Sequence, residues 1–362
     1  WRGFYNFKSI CCVFPENTKQ VQLLLKYCNQ HNIKVVPQGG NTSLTGASVP
    51  SKDNHEIIIN LKKMNQILSI DKINYSITLE SGCILNDIKT YVNKKNFYFP
   101  LNIGSGGSCQ IGGNVATNAG GINVLKYGSI KDSILGLEVV LADGSKIDSL
   151  FNIKKNNTGY DIKTLFCNSE GTLGIITKVI LKIFPMPKDY FHIFIATKSI
   201  DQSVKFFNQI YNEFGNQLES AELIPKIALD ICIKKGFLKQ SFFQTKHETF
   251  LLCKFALFEE ANKFEDKFID IVNKYKENYE DIIIAKNNNQ ADIFWKFRED
   301  LVEAYKLEGE YISNDISLPL NYLSTFIEEA SLKINKIIKN TRVYIFGHLG
   351  DGNIHFNIIE PE

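Results

Sequence analysis

Apolar residues recur at helical spacing through Gln20–Asn32 (Val21, Leu23, Leu24, Leu25, Tyr27, Cys28), which predicts a helix, and Ile33–Val36 behind it predicts a short strand. Further strands are predicted at Ile57–Leu61, Gln66–Ile70 and Ser76–Leu79, followed by a helix over Ile84–Lys94 that ends near Asn96. From Pro100 to Gly128 this periodicity dissolves into Gly, Ser, Asn and Ala; Leu135–Leu141 then reads as a strand and Ala142–Ser145 as a hairpin turn. The two prolines of Phe184-Pro185-Met186-Pro187-Lys188 interrupt the pattern again. Beyond them the chain is rich in Phe, Ile and Lys, with helical windows at Ser203–Phe214, Ala261–Tyr279 and Leu323–Lys339. The pattern predicts two α+β domains, residues 1–188 and 189–362, with no internal repeat.

Composition narrows the class. Hydrophobic residues at 44% and charged residues at 22% are those of a globular chain rather than a disordered or coiled-coil one. The formal charge of +2 gives no global pull toward nucleic acid or anionic lipid, so neither is an expected partner. No apolar run reaches spanning length, since even Ile134–Ala142 contains Glu138. The 8 cysteines lack paired CxxC spacing and are expected to be reduced, structural thiols. The chain opens on Trp1 without an initiator Met, which implies a trimmed N-terminus.

Four stretches carry candidate chemistry. In Pro37-Gln38-Gly39-Gly40-Asn41-Thr42-Ser43-Leu44-Thr45-Gly46-Ala47-Ser48, adjacent glycines let backbone N–H groups point into one concavity and hydroxyls add donors, which suits a diphosphate. No Gly-Lys-Ser/Thr follows and there is no GxGxxG before a helix, so Walker and nicotinamide Rossmann readings fail. In Gly104-Ser105-Gly106-Gly107-Ser108-Cys109-Gln110-Ile111-Gly112-Gly113-Asn114-Val115-Ala116-Thr117-Asn118-Ala119-Gly120-Gly121, small residues permit a backbone to lie against a flat ligand, with Asn and Thr supplying hydrogen bonds. Its interspersed Ile111, Val115 and Ala116 argue for close packing over a flexible linker. Ser169-Glu170-Gly171-Thr172-Leu173-Gly174-Ile175-Ile176-Thr177 is a turn feeding a β-branched strand. In Gly347-His348-Leu349-Gly350-Asp351-Gly352-Asn353-Ile354-His355, the glycines disfavour a helix, so the two histidines converge through a turn and strand in a manner suited to a divalent ion. Arg298, in the helical window Trp295-Lys296-Phe297-Arg298-Glu299, would by itself be an ordinary surface arginine.

In this order and spacing, the first three stretches resemble the flavin-binding domain of the vanillyl-alcohol oxidase / p-cresol methylhydroxylase family, and within it the dehydrogenases of D-2-hydroxy acids. The run from Pro100 through Gly128 to Ser145, Asn157–Asp161 and the SEGTLGIIT of Ser169–Thr177 carry the resemblance, which extends over essentially the whole chain. It implies a two-domain α+β fold, with a flavin-binding domain of the p-cresol methylhydroxylase type followed by a substrate or cap domain of helices over an antiparallel sheet. The first loop would hold the FAD pyrophosphate, the second (including Pro100, Gly104, Ser108, Gly112, Gly113, Asn114, Thr117, Asn118, Gly120, Gly121 and Gly128) the isoalloxazine and ribityl region, and the third (Glu170, Gly171, Gly174, Ile175, Ile176) would close the site. Relatives with covalent flavin often carry His where Asn41 stands, so FAD is expected to be non-covalent.

By the same resemblance His348 and His355 are ligands of a divalent metal, zinc by likeness, Asn353 contacts substrate and flavin, and Arg298 clamps a substrate carboxylate through its planar fork. The implied activity is oxidation of a D-2-hydroxy acid, D-2-hydroxyglutarate foremost, with electrons passed to an electron-transfer flavoprotein or quinone. A eukaryotic source implies a mitochondrial protein, a bacterial one a cytoplasmic or membrane-peripheral protein. Two positions depart from the pattern: Val302 stands where a Thr follows the Arg, and Ser313 where a Lys precedes Asp315-Ile316-Ser317-Leu318-Pro319. These leave D-lactate or glycolate oxidation open. The family continues beyond the last motif through a Glu-His-Gly segment with a third metal ligand and a catalytic His, whereas this sequence stops at Glu362. A fragment, or a catalytically silent FAD-binding chain, is the remaining alternative.

Overall fold

The computed structural model describes residues 8–52 and 55–361. The chain groups into two compact units: one runs to Gly121 and resumes over Tyr127–Met186, the other comprises Ile122–Lys126 and Pro187 onward.

In the first unit, helix Thr18–Gln30 is capped by Asn17, whose side chain accepts from the Gln20 N–H, and it buries Val21, Leu25 and Cys28. These pack against a three-stranded parallel sheet of β1 (Cys12–Val13), β2 (Lys34–Gln38) and β3 (Glu56–Asn60), in the order β1-β3-β2. A second sheet, antiparallel, follows: β4 (Ile67–Asp71), β5 (Ser76–Glu80), β7 (Ile134–Val140), β8 (Lys146–Ser149) and β9 (Ile175–Lys182) in the order β4-β5-β9-β7-β8, while β6 (Phe97–Tyr98) pairs with β10 (Phe184–Pro185). Every residue of β7 is buried, Glu138 included. Burial pushes that carboxyl up, but hydrogen bonds from Thr18 and Thr177 and the ammonium of Lys178 outweigh it and hold it below the usual carboxylate range. The predicted turn at Ala142–Ser145 is the β7–β8 hairpin, with Gly144 at positive φ.

The second unit is built on a seven-stranded antiparallel sheet. Its strands are β11 (Asp189–Thr197), β12 (Leu218–Pro225), β13 (Thr249–Leu257), β14 (Asp281–Ile284), β15 (Tyr311–Ser317), β16 (Arg342–His348) and β17 (Asn353–Ile359), in the order β14-β11-β13-β12-β16-β17-β15. Alternating side chains feed two cores. One face meets helices Ile200–Phe214, Ala261–Lys274 and Leu323–Ile337, with Phe191, Phe214, Phe255, Phe264 and Phe268 in mutual ring contact. The other meets helices Lys226–Lys234 and Asn288–Lys306 through Phe194, Phe250, Phe294, Phe297 and Phe346.

The long predicted helices and strands lie within a few residues of their observed bounds. Ile111–Ala116 differs: it is a short helix despite Gly112 and Gly113. Ile111 and Val115, four residues apart, are fully buried, and a Cβ on Gly112 would come within 2.6 Å of the Ser81 side chain, so packing overrides propensity. All 8 cysteines are free thiols, with six buried and Cys11 and Cys12 exposed. Among the described residues no helix is long and apolar enough to cross a membrane.

Candidate functional site

The three glycine-rich stretches converge inside the first unit. The loop leaving β2 is tied down by Gln38, whose amide donates to Ser48 O at 2.8 Å and accepts from Asn60 Nδ2 at 2.9 Å; Asn60 also donates to Gly39 O at 3.1 Å. Asn41 takes a positive φ of 53° and accepts from Ser48 Oγ at 2.9 Å. A Cβ on Gly40 would lie 2.1 Å from Ser108 O, so glycine is what lets the first loop meet the second. The third stretch closes on both: Thr45 Oγ1 donates to Glu170 Oε2 at 3.4 Å, Glu170 N donates to Ala116 O at 2.8 Å, and Gly171 packs on Pro37.

Several residues expected there already commit a polar atom within the protein. Thr117 Oγ1 donates to Gly113 O at 2.9 Å, Asn118 Oδ1 accepts from Lys131 N at 3.2 Å, and the side chains of Ile175 and Ile176 are buried in the core. Ser108 Oγ donates to Ser105 O and Gly128 abuts the Asp132 carboxylate. By contrast, Gln110 Oε1 and Asn114 Oδ1 are buried without a hydrogen-bond partner, and a Cβ on Gly104 or Gly113 would meet nothing within 4 Å.

In the second unit the register of four strands builds a polar row. Glu222 of β12 lies opposite His348 of β16, His348 opposite Asn353 of β17, and Asn353 opposite Ser317 of β15; His355 sits opposite Asp315 in the neighbouring row. Paired residues share a sheet face, so the hairpin that joins β16 to β17 delivers both histidines to one surface, with ring centroids 5.3 Å apart. Its turn depends on Gly352, at φ 74°, where a Cβ would lie 2.2 Å from Leu318 O. Asn353 Nδ2 donates to Ser317 Oγ at 3.2 Å.

Helix Asn288–Lys306 lays Arg298 over this face, 4.7 Å above the Phe346 ring, and the residue is only 7% exposed. Its Nε donates to Glu222 Oε2 at 2.6 Å, while Nη1 and Nη2 have no hydrogen-bond partner among the described residues. Glu222 Oε1 faces His348 Nδ1 at 2.5 Å, and Asp315 Oδ1 faces His355 Nδ1 at 2.5 Å. Burial pushes the Glu222 carboxyl up, but the charges of Arg298 and His348 dominate and bring it down to about 2; reciprocally, burial pushes His348 down and the Glu222 carboxylate more than restores it. The hydrogen bond to His355 holds Asp315 below the ordinary carboxylate range, while burial raises Asp351. The ordinary surface role that Arg298 has on sequence alone does not hold. Glu222 was invisible to motif reading; it is one of two glutamates, with Glu219, in the buried strand Leu218–Pro225.

Known proteins share both halves of this architecture. A family model for an FAD binding domain matches residues 10–149, and one for the C-terminal domain of FAD linked oxidases matches residues 186–362. The chain is 36% identical over its full length to a mitochondrial D-2-hydroxyglutarate dehydrogenase of Arabidopsis thaliana and spans 64% of that protein. It is 32% identical over its full length to a D-2-hydroxyglutarate–pyruvate transhydrogenase of Saccharomyces cerevisiae, of which it spans 74%. The crystal structure of p-cresol methylhydroxylase with substrate bound superposes with a TM-score of 0.72 at 16% identity, covering 96% of this chain and 74% of that one. The chain belongs to the FAD-linked oxidase family, a two-domain α+β fold with a flavin-binding domain of the p-cresol methylhydroxylase type.

A flavin dinucleotide fits the first unit's cradle, because the unpartnered Gln110 and Asn114 oxygens can accept from ligand N–H or O–H groups and the Gly104 and Gly113 positions leave room against the backbone. For a metal the donor set is partial. Each histidine has Nδ1 turned to a carboxylate, but no group of three His, Cys, Asp or Glu able to hold an ion occurs among the described residues, so these residues alone do not make up a metal's donor set.

Proposed function

We propose that the chain forms the flavin-binding and substrate-binding parts of an FAD-dependent D-2-hydroxy-acid dehydrogenase that oxidises D-2-hydroxyglutarate to 2-oxoglutarate. The observation that carries this reading is the Arg298 fork: a buried guanidinium pinned through Nε with both terminal nitrogens unpaired is preorganised for a bidentate carboxylate. The likeness to D-2-hydroxyglutarate dehydrogenases supports the substrate. FAD, when bound, would supply the hydride acceptor for oxidation at C2 of the acid. The chain's own residues bind and orient. Residues to about 188 hold the flavin non-covalently through the first loop (Pro37–Ser48), the Gly104–Gly121 stretch and the Glu170–Ile176 turn; residues 189–362 hold the acid, with Arg298 on its carboxylate and Asn353 beside the reacting carbon. By likeness His348 and His355 would contribute to a divalent-metal site, zinc foremost, which the described residues do not complete by themselves; such an ion would ease loss of the hydroxyl proton. Electrons leave to an electron-transfer flavoprotein or quinone, and a eukaryotic source places the protein in the mitochondrion, as with the Arabidopsis relative.

A second reading, D-lactate or glycolate as substrate, is favoured by two side chains. Val302, one helical turn after Arg298 and 40% exposed, offers no hydrogen bond, and the exposed Ser313, opposite Asn357, offers no charge for a second carboxylate. An anaerobic absorbance titration of the FAD- and zinc-loaded chain decides between them. Bleaching of the flavin band by D-2-hydroxyglutarate and not by its L-enantiomer or D-lactate supports the first reading; bleaching by D-lactate or glycolate alone supports the second. Flavin that binds but is bleached by no acid refutes both for this chain.

A further inference from the structure

We infer that Lys254 and Ser220 form a subsite for the second carboxylate of a diacid, which makes Lys254 the residue that selects D-2-hydroxyglutarate over one-carboxylate acids. The inference rests on the placement of Arg298 on the first carboxylate and names what takes the other end. Strand register sets the place. Phe194, Leu252 and Glu222 form one cross-strand row through β11, β13 and β12, and two residues along each strand His192, Lys254 and Ser220 form the next row on the same face. Helix Asn288–Lys306 reaches both rows: Arg298 bonds Glu222 in the first, and Trp295, one turn earlier, donates Nε1–H to His192 in the second. With strands about 4.8 Å apart and alternate residues about 6.8 Å apart, the backbones of Glu222 and Lys254 stand about 8 Å from each other. A five-carbon diacid separates its carboxyl carbons by roughly 5 Å, so one end on the Arg298 fork brings the other within reach of a long lysine side chain.

Both polar members of the second row have donors to give. Ser220 is fully buried and its Oγ has no hydrogen-bond partner, an unfavourable state that a ligand oxygen relieves. Lys254 keeps 16% side-chain exposure; its Nζ donates to Glu219 Oε1 at 2.8 Å and lies 4.0 Å from the centre of the Tyr190 ring, and among the described residues it has no second hydrogen-bond acceptor. An ammonium carries three donors, so N–H groups remain for a ligand. The register shift between Leu218 and Ser220 takes Glu219 out of the strand's alternation, and its fully buried carboxylate holds the ammonium in place. This pair offers a second carboxylate the cation and the hydroxyl that Ser313 and Val302 do not. D-Lactate and glycolate have no group that reaches it.

The test titrates the FAD-loaded chain calorimetrically with 2-oxoglutarate and with pyruvate, the two- and one-carboxylate oxo acids, which oxidised flavin does not consume. The wild type should bind 2-oxoglutarate about 10-fold or more tightly than pyruvate. Lys254→Met should cut that preference about 10-fold, and Ser220→Ala should cut it severalfold. Because K254M leaves Glu219 buried without its cation, a double variant that adds Glu219→Gln removes both charges and decides the matter if the single variant does not fold. A preference that survives the loss of Lys254 overturns the inference, and so does equal weakening of both acids, which marks the Lys254–Glu219 pair as structural. A wild type that binds the two acids equally overturns this inference alone and leaves oxidation of a D-2-hydroxy acid standing; one that binds neither acid overturns it together with the role given to Arg298.

Discussion

His192 gives the second unit a built-in sensitivity to acid. It lies on β11 opposite Lys254, and its Nδ1 accepts from Trp295 Nε1 at 2.8 Å, a bond that requires the ring to be neutral. Burial, reinforced by the nearby Lys254 ammonium, lowers its pKa from 6.5 to about 4. An unfolded chain binds a proton at this ring below about pH 6.5 while the folded chain refuses it until about pH 4, so the unfolded state binds more protons in that window and stability falls as the pH drops through it. A shift of roughly 2.5 units corresponds to about 3 kcal/mol lost between pH 6.5 and 4. His192→Gln keeps an acceptor for Trp295 and removes the titration. Trp295 is one of only two tryptophans in the chain, so urea unfolding followed by fluorescence in a Trp1→Phe background reports on this unit. The stability advantage of the wild type over H192Q should shrink by about 3 kcal/mol on going from pH 7 to pH 4. An advantage that is constant across that range refutes the argument that His192 folds uncharged.

Two further substitutions test packing. Gly40→Ala drives a methyl into Ser108 O, 2.1 Å from the ideal Cβ, and should separate the first two glycine-rich loops; if they hold the flavin as proposed, the purified variant should retain little FAD, read as the ratio of flavin to protein absorbance. Phe255→Ala removes a fully buried ring in contact with Phe191, Phe214, Phe264 and Phe268 and should cost the second unit about 3–5 kcal/mol in urea unfolding, a loss under about 1 kcal/mol arguing that the cluster repacks.

The elements that sequence exposes best are those whose order is local. The helices Thr18–Gln30, Ile200–Phe214 and Leu323–Ile337 and the hairpin that carries both histidines follow from periodicity and glycine placement, which act within a few residues. The partners that give site residues their character are remote in sequence. Arg298 reads as an ordinary surface arginine until Glu222, 76 residues away, removes it from solvent, and helix Ile111–Ala116 forms against glycine's propensity because Ile111 and Val115 are buried, while Ser81 leaves no room for a side chain at Gly112. The glycines of the first unit's loops show a division of labour that composition hides. Gly40 and Gly121 are demanded by backbone oxygens close behind them, at 2.1 and 2.2 Å from an ideal Cβ, whereas Gly104 and Gly113 are crowded by nothing in the protein.

The five residues Ile122–Lys126 group with the second unit although the chain on either side of them belongs to the first, so the polypeptide passes between the units after Gly121, after Lys126 and after Met186. Leu125 packs against Gly350, inside the histidine hairpin. A single proteolytic nick near Pro187 would therefore leave two pieces that still share a folded body, with the N-terminal piece supplying an element the C-terminal piece lacks. Expressed apart, the N-terminal and C-terminal pieces should complement one another, because residues 122–126 belong to the second unit, and a transplanted histidine hairpin would need to carry those residues with it.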